Sequence, residues 1–222
     1  MNTTDLKDLV KALGKLVRPN PWHGVELYTG DNKQDVRAYI EIVPTDRVKY
    51  EVDKKTGFLM VDRPQKFSNI VPCLYGLLPQ TYSGEKTAEF ARKATGRDGL
   101  FGDGDPVDVC VLTDEAITHG DLLVDCKIIG GFRMLDGGEV DDKIIAVLKD
   151  DSTFGKMNDV SEVPAGVLDK VKHYFLTYKQ IPHEGYTPKC EITHTYGKEE
   201  AVKIVELGVV DYNEEVLPKL FN

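Results

Sequence analysis

Asp103, Asp105 and Asp108 fall within six residues, in the stretch FGDGDPVDVCVL (Phe101–Leu112), and small hydrophobic residues follow directly. Three carboxylates at the mouth of a buried strand repel one another, so something strongly positive must offset them. An EF-hand loop also begins D-x-D. Here, however, Val107 would take the third ligand position, Asp108 would replace the obligatory glycine, and a strand follows instead of a helix. The D-x-D of nucleotide-sugar transferases and aspartyl-phosphate phosphatases usually ends a hydrophobic strand, whereas this one precedes it. A multi-metal phosphate site fits the order better. Pro106 interrupts regular pairing, so Asp103 and Asp105 can lie on an irregular loop while Asp108 opens the strand. Such hard oxygen ligands select Mg²⁺, which keeps waters and bridges to substrate phosphates. The plain alternative is three turn-favouring aspartates at a strand start.

A second acidic group, Asp136, Asp141 and Asp142 in MLDGGEVDDKIIAVL, also precedes a buried strand. Two acidic loops feeding two strands can meet at one barrel mouth, and four or more carboxylates there require several divalent ions. Candidate anion-binding groups are Lys49, Arg63, Lys143 and the pair Tyr178-Lys179. Rival signatures are missing: there is no GxxxxGK[ST], HExxH or GxSxG, and the five histidines lack metal spacing. Tyr75, in VPCLYGLLP, reads by default as a core aromatic.

The elements must position these groups. The 222 residues suffice for one large domain with a real core. A net charge of −9 argues against general nucleic-acid or anionic-membrane binding. No apolar stretch approaches the ~20 residues of a membrane span. The mixed-charge N-terminus is not a secretion signal, so the Asn2-Thr3-Thr4 sequon carries no weight. Four cysteines without metal spacing, two of them in hydrophobic runs, suit a reducing cytoplasm. Helical spacing of Leu6, Leu9, Val10, Leu13 and Leu16 predicts an N-terminal helix, with Thr3 or Thr4 as its cap. Strands are expected at Val36–Val43, Arg47–Asp53, Gly57–Asp62, Val107–Leu112, Leu122–Gly130 and Lys143–Leu148. Pro164–Lys179 and Gly197–Leu207 read as helices. Alternation puts Val36, Ala38, Ile40 and Ile42 on one face, with Glu41 on the other; Lys49 and Glu51 share a face opposite Tyr50 and Val52. This spacing predicts an α+β protein with a mainly β core, a small closed barrel with helices packed outside.

From about Ile40 to Lys179 the chain resembles the soluble family I inorganic pyrophosphatases, through KYEVDKKTGFLMVDR, PCLYG, D-G-D-P-V-D, DDKIIAV and HYFLTYK in that order. The resemblance implies an OB-like five-stranded barrel with flanking helices, forming a single catalytic domain over residues 1–222 with its core at about 36–180. It implies hydrolysis of pyrophosphate to two orthophosphates by in-line attack of a water activated by several Mg²⁺ ions. Carried over by position, Asp103, Asp108, Asp136 and Asp141 ligate metal, Glu41 and Glu51 act mainly through metal-bound waters, and Asp105 is the general base. Lys49, Arg63, Lys143, Tyr178 and Lys179 hold the phosphates, and Tyr75 lies near the nucleophile. A cytoplasmic homo-oligomer, with a hexamer favoured, is the family expectation. Pyrophosphate is the expected small-molecule partner, with no nucleic acid and no membrane. The competing readings are a non-catalytic metal-binding module and a hydrolase of another phosphoanhydride. This chain departs from many bacterial relatives at Val71, Leu74 and Gly137, and carries a longer segment at Ser83–Leu100.

Overall fold

The computed structural model describes residues 8–9, 12–13, 17–179 and 188–220. The expected N-terminal helix and its cap lie largely outside these; Leu9 and Leu13, which are described, are helical and exposed.

Five strands close into a ring. These are β1 (Asp35–Ile42), β4 (Leu74–Leu77), β6 (Asp108–Leu112), β9 (Lys143–Leu148) and β7 (Leu122–Asp136). Pairing of Asp35–Ile40 with Leu122–Lys127 joins β7 back to β1, so no edge stays open along that seam. All the ring pairings are antiparallel except β6–β9, where Asp108 stands beside Lys143. A separate hairpin of β2 (Val48–Val52) and β3 (Leu59–Pro64) turns through Gly57. Two short strands, β5 (Phe101–Gly102) and β8 (Glu139–Val140), pair beside the far end of β7. This is the OB-like barrel expected from the sequence.

Period-two alternation gives the ring two apolar faces. Val109, Val111, Ile144 and Ala146 pack with Ala201, Ile204 and Val205 of helix α3 (Lys198–Asp211). Cys110, Leu112, Ile145 and Val147 pack with Val171, Tyr174 and Phe175 of helix α2 (Ala165–Thr177). Asp108 and Lys143 belong by parity to the second face, at its open end. All four cysteines are free and buried.

The structure departs from the expected alternation in β1. Residues 40 and 42 face consecutive residues of β4, so Glu41 sits in a bulge and Ile42 leaves the face of Ile40 for the opposite core. Bulges re-aim side chains beside functional sites. Here the bulge sends the Glu41 carboxylate to the Val52 N–H at 2.7 Å, tying β2 to the barrel.

Strand β7 runs six residues beyond the expected end at Gly130, to Asp136. The Gly130-Gly131 pair does not stop it. A side chain at Gly131 would meet the Tyr196 ring at 2.4 Å, so glycine lets β7 pack directly under β10 (Cys190–Gly197). The hairpin after Asp136 turns on Gly137 (φ 63°) and Gly138 (φ 103°), conformations that disfavour any other residue.

The Ser83–Leu100 segment is ordered and contains helix α1 (Glu85–Thr95). Gly84 offers no side chain to cap it. The buried Asp211 carboxylate from the end of α3 does so instead, accepting the N–H groups of Gly84, Lys86 and Thr87 at 2.8–3.1 Å. A carboxylate there satisfies orphan donors and favours the helix dipole.

Candidate active site

The open end of the second core face is a cavity of about 310 Å³. It is lined by Glu41, Lys49, Glu51, Tyr75, Asp103, Asp105, Asp108, Asp136, Asp141, Lys143, Tyr178 and Lys179. Every residue assigned from the sequence stands there except Arg63. That side chain lies outside the lining, with its guanidinium 5.7 Å from the Tyr178 ring and its backbone paired to Lys49. Glu139, Tyr174 and Phe175 also line the cavity and were not picked out from the sequence. Glu139 faces Asp136 across the two-glycine hairpin, so the turn signal itself could have exposed it.

Lys143 is the electrostatic centre. Its side chain is 1% exposed, and its ammonium donates to Asp108 and Asp141 and lies 5.3 Å from the Phe175 ring. Burial opposes its charge, but Asp108 and Asp141 outweigh that and hold its pKa well above the usual lysine range. Around it the acids diverge. Burial, then Asp141 and Asp108, push Asp103 up to about 9. Burial also raises Asp108 against the pull of Lys143. Asp141, although buried, is held low by Lys143 and Lys179. Burial raises Glu41 to about 8 despite its bond from Val52. The Tyr75 hydroxyl is kept protonated by burial beside Asp108 and Asp141.

At the rim, Lys179 contacts Asp136, and Lys49 contacts Glu51 and lies 3.1 Å from Asp62. Asp105 differs from its neighbours: its side chain is half exposed, and it meets Lys54 from the tip of the β2–β3 hairpin. Lys54 was not singled out from the sequence. The Asp105 backbone is fixed on both sides, its N–H donating to Asp103 at 3.0 Å and its carbonyl accepting the Ser83 N–H at 2.8 Å.

One expected member is elsewhere. Asp142 does not join the acidic cluster; its carboxylate turns to Arg133 at 2.8 Å and to the Tyr196 hydroxyl at 3.2 Å, both buried. Adjacent residues in an extended segment point to opposite sides, which sends Asp141 and Asp142 apart.

The donor chemistry fits divalent cations: buried, mutually repelling carboxylates with a few lysines as the counter-charge. Among the described residues no group of three such ligands is gathered closely enough to hold an ion as it stands.

The family profile of inorganic pyrophosphatase matches residues 38–213. The chain belongs to the inorganic pyrophosphatase family. It is 53% identical over 196 residues to the inorganic pyrophosphatase of Chlamydia muridarum, covering 87% of this chain and 93% of that one. Its fold is similar to the inorganic pyrophosphatase of Helicobacter pylori, with a TM-score of 0.68 at 30% identity over 85% of this chain and 98% of that one. A type I inorganic pyrophosphatase from P. falciparum gives a TM-score of 0.72 at 25% identity, covering 88% of this chain and 63% of the other. Membership implies a divalent-metal cofactor. No helix among the described residues is long and apolar enough to cross a membrane.

The metal-free site should be pH-sensitive in a stated direction. Asp103 and Glu41 have folded pKa values of about 9 and about 8, well above ordinary carboxylates, so the folded state holds protons that the unfolded state releases. Their contribution to stability is present below about pH 4 and is lost as pH rises toward 9. In EDTA, the melting temperature of Asp103→Asn should fall less from pH 5 to pH 9 than that of the wild type. Parallel curves would show that Asp103 is not held protonated.

Proposed function

We propose that this cavity hydrolyses inorganic pyrophosphate to two orthophosphates, with Mg²⁺ as the metal and several ions per site. One observation carries the reading: two acidic loops and a set of lysines and tyrosines converge on a single polar cavity in an inorganic pyrophosphatase fold. Asp103, Asp108, Asp136 and Asp141 would hold the ions, with Glu41 and Glu51 acting mainly through water. When bound, the ions supply positive charge that offsets the charge of the acids and of the dividing phosphoanhydride, and they acidify water.

The chain's own residues do the rest. Lys49, Lys143, Tyr178 and Lys179 hold the two phosphoryl groups and neutralise the leaving phosphate, and Arg63, beside Tyr178 just outside the lining, would join them by turning its side chain inward. Burial of Lys143 strengthens its field. The Tyr75 hydroxyl, protonated beside Asp108, stays a hydrogen-bond donor facing the cavity. Asp105 accepts the proton of the attacking water. Its half-exposed carboxylate on a fixed backbone suits a group that meets solvent, whereas Asp108 is more deeply buried. A single catalytic domain in a cytoplasmic homo-oligomer, a hexamer by family expectation, completes the reading.

Phosphate release should be fast from pyrophosphate with Mg²⁺, abolished by EDTA, and weak from ATP and from a phosphate monoester. Activity on the monoester alone would refute the reading.

Asp105 can be separated from its neighbours by titrating Mg²⁺ against kcat. A positioned base is worth about 10²–10⁴-fold, so Asp105→Asn should lose rate on that order with little recovery at high metal. Asp103→Asn and Asp108→Asn should instead need more Mg²⁺ and recover in part. Rescue of Asp105→Asn as readily as Asp103→Asn would make Asp105 a ligand rather than the base.

A further inference from the structure

Arg133 lies behind the acidic loop, fully buried, and takes no part in the chemistry above. Its Nε donates to Asp142 at 2.8 Å and its Nη2 to Glu200 of α3 at 3.2 Å. Its guanidinium lies 5.5 Å from the ring of Phe90 in α1 and 5.7 Å from that of Tyr196 in β10. The inserted helix, the C-terminal helix and two strands therefore meet at one cation. The next residue in β7, Met134, accepts the Asp141 N–H at 3.0 Å. Arg133 and Met134 thus grip the Asp141-Asp142 dipeptide twice, once through a backbone bond and once through a side chain.

We propose that Arg133, through Asp142, is a positioning residue for the metal ligand Asp141. The inference rests on the assignment of Asp141 as a ligand. Among the described residues the Asp141 carboxylate is held by Lys143 and its acidic neighbours and by no backbone N–H, so the backbone that carries it also sets its aim. The guanidinium reaches Asp142 through Nε and Glu200 through Nη2, so its fixed planar geometry ties the residue after Asp141 to α3. Groups that orient a ligand from behind typically change metal affinity by about 10–100-fold when removed. The hub also makes that affinity sensitive to α1 and α3, which lie outside the cavity.

The test measures binding of Mn²⁺ alone to the substrate-free, full-length protein by calorimetry, beside the melting temperature. Wild type, Asp141→Asn, Arg133→Met and the double variant Arg133→Met/Asp142→Leu are compared. The double variant removes the fully buried Arg133–Asp142 pair together and leaves only the partly exposed Glu200, which keeps His194 at 3.5 Å, so packing is largely kept. Affinity should fall about tenfold or more in Arg133→Met and in the double variant, even where the double variant melts near the wild-type temperature. A loss below about threefold in either folded variant makes Arg133 purely structural and overturns the proposal; the double variant decides alone if Arg133→Met does not fold. Tight binding unchanged in Asp141→Asn would instead refute the ligand assignment on which the proposal rests.

Discussion

A lysine buried among aspartates is the interaction on which the site depends. Alone, Lys143 would lose its proton in an apolar wall of Tyr75, Phe175 and Tyr178; alone, Asp108 and Asp141 would take one up. Together they remain a charged cluster in which a single cation serves several acids. The shortfall of positive charge appears on Asp103, whose carboxyl retains a proton well above the ordinary range. That imbalance gives divalent cations their purchase, and it accounts for a crowding that stability alone would select against. The rim pair Lys54–Asp105 is of another kind. Both partners are half exposed, so it contributes little to stability and can part at small cost.

The barrel makes the cluster possible by parity. Parallel pairing of β6 with β9 sets Asp108 beside Lys143 at the same level, and alternation behind them fills the wall with Cys110, Leu112, Ile145 and Val147. Because α2 covers that wall, its Phe175, and Tyr178 just past its end, reach the cavity from the same packing that stabilises the barrel. The Glu41 bulge brings in the β2–β3 hairpin, and with it Lys49 and Glu51. The acids and lysines of the cavity thus arrive on several elements, with β2 bringing both Lys49 and Glu51.

The chemistry was legible in sequence because it is local. The D-G-D-P-V-D run and the acids before Lys143 announce two loops that feed strands, and Asp103, Asp105, Asp108, Asp136 and Asp141 do meet. What stayed hidden depends on distant partners. Helix α1 begins at a glycine and is capped by Asp211, more than a hundred residues away, so its own stretch carries no start signal. Strand β7 passes through two glycines because Tyr196 needs the space. Asp142 looked like a third member of its acidic group; alternation turns it away from Asp141, and the distant Arg133 and Tyr196 receive it.

Proton release on metal binding tests the central claim most directly. If divalent cations relieve the charge imbalance around Lys143, their binding must displace protons retained by Asp103 and Glu41. Calorimetric titration of Mg²⁺ into metal-free protein at pH 7, repeated in buffers of different ionisation enthalpy, counts them. Release of about one proton or more per site is expected. Tight Mg²⁺ binding with no proton release would contradict the account, since the acids would then already be charged and balanced without the metal.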